Sequence, residues 1–140
     1  MALSIREQII QAAVSRLNAL TPDGCLRCVP YTDEDQFVAL WDQAEDAEPG
    51  AFNRTNYELP LAVVYTIRYS RDDSPSKTSE MLADLMSAMF TPDDDFGGLA
   101  DGVFYTGSSV KHRESGSDFI SVGAVFTVTY TTRAGDPFNK

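Results

Sequence analysis

Residues 119–131 read FISVGAVFTVTYT. The even positions Ile120, Val122, Ala124, Phe126, Val128 and Tyr130 are apolar or small. Between them, Ser121, Gly123, Thr127, Thr129 and Thr131 are small or hydroxylated, with Val125 the exception. A period of two is the pattern of a β-strand with one face on a core and the other elsewhere. The strand runs into Thr132-Arg133-Ala134-Gly135-Asp136-Pro137-Phe138, a turn-like tail.

Working upstream, 111–118 is a polar, hairpin-like loop, 103–110 a strand, and 93–102 an acidic loop bearing glycine. Before that loop, Met81, Leu82, Leu85, Met86, Met89 and Phe90 form an apolar stripe at helical spacing. Ser74 is an N-cap candidate with Pro75 at the first helical position, Ser76 is a competing cap, and Thr91-Pro92 ends the helix. The methionines in the stripe read as core filling.

Residues 59–69 form a second strand, with Leu61, Val63, Tyr65, Ile67 and Tyr69 on one face and Ala62 and Val64 on the other. Its near-continuous apolar start suits a central strand covered on both sides, and Pro60 at its beginning removes a donor where that does least harm. Residues 25–31 form a short strand. At the start of the chain, Ser4-Ile5-Arg6-Glu7 is a capping box. Ile5, Ile9, Ala12, Ala13, Leu17 and Leu20 follow on one helical face, leaving Arg6, Gln8, Gln11, Ser15 and Asn18 to water. Thr21-Pro22-Asp23-Gly24 stops that helix.

The segment 32–56 has no clear period. It is acidic, with Asp33, Glu34, Asp35, Asp42, Glu45, Asp46 and Glu48, yet it carries Phe37, Trp41 and Phe52. Phe37, Leu40, Trp41 and Ala44 could line a short helix, which Pro49-Gly50 would break. A long irregular insertion with its own aromatics either folds them onto the core or offers them to a partner. Taken together, the chain is expected to be a single α/β (α+β) domain over 1–140. Two helices pack on one face of a four-stranded, mainly antiparallel or mixed sheet.

The chain has 140 residues, a length suited to one domain that holds a core without disulfide or metal. Its formal charge of −10 is unusual and sets its surface against nucleic acid phosphate and anionic membranes. The 11 Lys and Arg are scattered, so no basic stripe points to nucleic-acid binding. Met1-Ala2-Leu3-Ser4 leads into a polar helix without an apolar leader, so the chain is expected to be made and kept in the cytosol, its two cysteines as thiols.

The chemistry that could be coded here is incomplete at each point. Cys25-Leu26-Arg27-Cys28 falls in the short strand, whereas a redox pair needs its first thiol at a helix N-terminus. No second pair or histidine cluster completes a zinc site. His112, the sole histidine, sits among Lys111, Arg113 and Glu114 as in a solvated loop. Asp95-Phe96-Gly97 lacks every other kinase motif. Asp93, Asp95 and Gly98 match three calcium-loop positions, but the position that needs a bidentate glutamate is Phe104. The expectation is no catalytic residue, no cofactor and no metal.

Four stretches, in order, resemble the tail terminator, or tail completion, family of long-tailed bacteriophages. They are SIREQIIQAAVSRLNAL at 4–20, LPLAVVY at 59–65, SKTSEMLADLMSAMF at 76–90 and VGAVFTVTYTTRAGDPF at 122–138. Segment 32–56 lies outside the resemblance. The resemblance implies a structural virion protein that assembles in the host cytoplasm. Such a protein forms a homo-oligomeric ring, usually a hexamer, on the head-proximal end of the tail tube. It ends tube growth and offers the surface that meets the head connector or neck protein. The acidity then suits a lumen through which DNA slides without lodging. Phe37, Trp41 and Phe52, with Thr127 and Thr129 on the threonine face of 119–131, are the candidate partner interface. The competing readings are another neck or head-completion protein, a tail-assembly chaperone, and a cytosolic ligand-binding module.

Overall fold

Ser4 starts the first helix as its sequence requires. Its Oγ accepts the Glu7 amide at 3.1 Å, the first half of the capping box. The Glu7 carboxylate does not turn back to Ser4; it accepts from Gln11 Nε2 at 3.0 Å and from Arg27 at 2.6 Å. The computed structural model describes residues 2–29, 35–114 and 116–140. Helix α1 spans Ile5–Leu17 and buries Ile5, Ile9, Ile10, Ala13 and Leu17. Ile10 is inside as well as Ile9 because α1 meets both the sheet and the second helix. A 3₁₀ turn, Asn18–Leu20, follows.

The remaining elements are β1 Cys25–Arg27, β2 Gln36–Asp42, β3 Asp46–Gly50, β4 Arg54–Arg68, α2 Ser74–Met89, β5 Gly102–Lys111 and β6 Phe119–Arg133. Strand order is β1-β2-β4-β6-β5, with β3 pairing the first part of β4. β1 runs parallel to β2, and all other pairs are antiparallel. The α+β class and the mixed sheet agree with the sequence. The count of four does not: the described residues form six strands.

The two extra strands come from the segment expected to be irregular. Phe37, Leu40 and Trp41 do not line a helix; QFVALWD is a strand between β1 and β4. A helix there would leave the backbone of β4 unpaired along that edge. β3, with Pro49 and Gly50, is a weak strand former held by its pairing to β4, at an edge where proline is tolerated. The acidic Asp33 and Glu34 of this segment lie outside the described residues. So do Pro30 and Tyr31, expected to end a strand at 25–31; among the described residues β1 ends at Arg27 and Cys28 leaves it with a φ of 54°. In α2, Ser74 lies inside the helix after Asp73, which places Pro75 at its second position.

Pro60 falls in the interior of β4, not at its beginning, and the sheet accommodates it by a break. β2 pairs as far as Leu61 and β3 resumes at Glu58. Between them, the Gln43 amide donates to the Pro60 carbonyl at 3.0 Å. The Gln43 carbonyl, facing the donor that proline lacks, accepts from Arg6 at 3.0 Å. Arg6 also pairs with Asp42 at 3.1 Å and Glu45 at 3.5 Å. It is therefore the brace of the break and not a side chain left to water. Arg27 extends the brace, reaching Asp42 at 3.1 Å and Glu7 at 2.6 Å.

Both helices cover the same sheet face, as expected. Under them lie Leu59, Leu61, Val63, Tyr65 and Ile67 of β4 and the even residues Ile120 to Tyr130 of β6. Phe126 is wholly buried at the centre, with Phe90 edge-on at 6.1 Å and Tyr105 at 5.9 Å. The opposite face departs from expectation: Ala62 and Val64 of the central strand are partly exposed, and no described helix or strand lies over them.

Candidate functional site

Alternation carries every second residue of four adjacent strands to the face turned away from the helices. Strand register then fixes which side chains stand beside one another. One row runs Trp41, Ala62, Val125, Gly107. The next, one pleat repeat away, runs Ala39, Val64, Gly123, Ser109, and a third runs Phe37, Thr66, Ser121, Lys111. On the other side of the Trp41 row stand Pro60, Thr127 and Phe104, then Glu58, Thr129 and Gly102.

This arrangement brings together four of the five candidate interface residues. Phe37 and Trp41 sit at one edge of the open face, Thr127 and Thr129 along its middle strand, and all four are partly buried. Phe52 is separate. It stands at the tip of the hairpin joining β3 to β4, 95% exposed. Phe52 and Asn53 both have a φ of 58° there. Asn tolerates this left-handed region, but for a bulky side chain it costs roughly 1–2 kcal/mol. The turn itself is held by the β3–β4 pairing, which closes at Gly50 opposite Arg54, and by the Ala134 amide, which donates to the Asn53 carbonyl at 3.0 Å; the Phe52 ring, exposed to solvent, adds little to it.

Between Ala62, Val64, Gly107, Gly123 and Val125 the open face dips into a depression of about 450 Å³. Small residues make it. A Cβ on Gly123 would lie 2.7 Å from the Ser109 Oγ, and a Cβ on Gly107 would meet nothing within 4 Å. Phe104, one register row away, is 56% exposed, and its ring leans over Gly102.

Two like-charged pairs also mark this face. Asp46 stands directly opposite Glu58, and Arg54 directly opposite Arg133. Like charges facing across a sheet are destabilising. None of these four makes an ion pair within 4.0 Å among the described residues. Asp101 adjoins the acidic pair, accepting the Thr131 hydroxyl at 2.7 Å.

The other sequence candidates have structural surroundings. Arg16 lies over the Phe96 ring at 4.3 Å and pairs with Asp93 at 2.6 Å. That bond, with the Asp95 and Gly97 amides, holds the Asp93 carboxyl below its usual range, so the calcium-like loop is closed by a guanidinium. Burial pushes the Cys25 thiol up to about 11, while Cys28 is exposed; both are free. His112 is exposed. Among the described residues no group of three or more His, Cys, Asp or Glu is placed to hold a metal, and no helix is long and apolar enough to cross a membrane.

The sequence carried a signal for part of this face. Val125, the one large apolar residue among the small and hydroxylated ones from Ser121 to Thr131, marks its centre, and Ala62 and Val64 lie beside it. The charge pairs had no such signal, since only register sets Asp46 against Glu58 and Arg54 against Arg133.

No family model and no curated protein matches the chain. Among solved structures it is similar to a chain from the virion of a native gene transfer agent particle. The TM-score is 0.46 at 14% identity, over 91% of this chain and 93% of that one.

Proposed function

We propose that this chain is a non-enzymatic structural subunit of a virion. Copies of it close into a ring, most simply of six, at the head-proximal end of a phage tail tube. The ring ends tube growth and offers the surface to which the head joins. The observation that carries this reading is the open sheet face, where Trp41, Ala62, Val125 and Phe104 stand without a covering element. An uncovered apolar face on an otherwise well-packed domain is the mark of an assembly surface. The order of the four tail-terminator-like stretches supports the particular role. A charge of −10 on each subunit favours passage of DNA without retention.

Complementation tests it. Phage lacking the protein should make overlong tails, or tails that fail to join heads, and supplied protein should restore particles in which it remains. Normal tails in its absence would reject the terminator role. Restoration by a protein that leaves before the particle is complete would favour the assembly chaperone.

A further inference from the structure

We infer that the open sheet face is filled by the hairpin tip of a second copy of this chain, with Phe52 seated in the depression between Ala62, Gly107, Gly123 and Val125. The inference rests on the ring reading and supplies its subunit contact. Phe52 is 95% exposed and left-handed at φ 58°, so its own fold gains nothing from a phenyl ring at that position. The depression is apolar, glycine-floored and on a different part of the same chain. A tip and a hollow on separate surfaces define a heterologous contact, the kind that closes rings.

Charge complementarity selects a second copy as the occupant. Arg54 and Arg133 flank the tip as a like-charged pair. Asp46 and Glu58 form the opposite like-charged pair on the same face as the depression. Glu58 is four residues along β4 from Ala62, about 13 Å at the rise of a strand. That is within reach of two arginines that stand just behind a seated Phe52. Each pair destabilises the isolated chain, and docking sets one against the other. Long-range repulsion between acidic copies is offset where they touch.

The test is self-association followed by native mass spectrometry and sedimentation. Wild-type protein should form multimers. Phe52→Glu and Val125→Glu should each weaken association about thirtyfold or more, the scale of an interface hot spot. Their equimolar mixture should stop at dimers, because only one intact tip and one intact hollow can meet. Phe52→Gly relieves the left-handed backbone, so it should melt no lower than wild type yet lose association. Arg54→Glu with Arg133→Glu should disperse the multimers, and adding Asp46→Lys with Glu58→Lys in the same chain should restore them. Multimers indifferent to Phe52→Glu and Val125→Glu would overturn the contact while leaving the ring reading intact. A wild-type chain that stays monomeric would overturn it too, and the tail-length assay would then judge the ring reading alone. Multimers of Phe52→Glu that fail to terminate tails would assign Phe52 to the tube or neck instead.

Discussion

Phe126 and Thr127 are neighbours in sequence and opposites in environment. Phe126 is wholly buried between Phe90 and Tyr105, while Thr127 lies partly exposed on the open face. Phe126→Ala should lower unfolding free energy by about 3–5 kcal/mol in a denaturant titration, and Thr127→Ala by less than about 0.5 kcal/mol. Equal effects would reject the assignment of faces. The cysteines divide similarly. With its thiol pushed up to about 11 and half buried, Cys25 holds little thiolate near neutral pH. Alkylation at pH 8 followed by peptide mapping should modify exposed Cys28 first, and preferential labelling of Cys25 would contradict its burial.

At the scale of elements, what was legible follows from periodicity. Strand β6 alternates apart from Val125, and the two helices repeat their apolar residues at helical spacing, so each is readable from local order alone. Strands β2 and β3 were not. In QFVALWD the run Phe37 to Trp41 is continuously apolar, which cannot separate a strand from a short helix, and DAEPG opposes strand formation outright. Both exist because β4 is fifteen residues long and needs an edge partner, a fact that no window of local sequence contains. Arg6 and Arg27 were likewise obscure, since their partners stand 36 and 15 residues away.

Those two arginines tie α1 to the sheet, and the tie is pH-dependent. The Arg27 bond holds the Glu7 carboxyl below its ordinary range. Burial pulls the Asp42 carboxyl upward, but its bonds to Arg27 and Cys28 outweigh that and leave it lowered as well. Both groups therefore ionise at lower pH in the fold than in the open chain. Their pairing stabilises the fold above about pH 4, the unfolded carboxylate range, and is lost as pH falls through the folded values. Arg27→Gln should cost up to about 1 kcal/mol at pH 7, the scale of a partly solvated pair. Melting curves of mutant and wild type should converge near pH 2 to 3, and a difference that persists there would remove the electrostatic account.

Trp41 lies at the edge of the open face, so its emission should move to shorter wavelength as multimers form; constant emission across assembly would place the contact elsewhere. Salt acts on two distances. Repulsion between copies of charge −10 is long-range and screened within about 10 Å at 0.1 M salt, whereas pairs closed at a contact are screened less. Raising salt from about 10 mM to about 150 mM should therefore increase the multimer fraction at fixed protein concentration. A monotonic fall would mean that contact pairs outweigh the net charge.

The unbroken register of β4 against β6 has a consequence for how this chain can change over generations. The two strands match at fifteen consecutive positions, from Arg54 opposite Arg133 to Arg68 opposite Phe119. A single codon gained or lost within either would turn every residue beyond it inside out unless a bulge absorbs it, as the shift between Tyr105 and Gly107 does where β5 meets β6. Inherited changes of length that keep the β4–β6 register unbroken therefore fall in the connections, or come as two codons in one strand matched by two in the other. Each such step would move the hairpin tip by about 6.8 Å, two strand residues. The spacing between a tip and its receiving hollow is in this sense a digital trait. Related lineages should differ in it by whole steps, and a lineage caught between steps should have lost assembly.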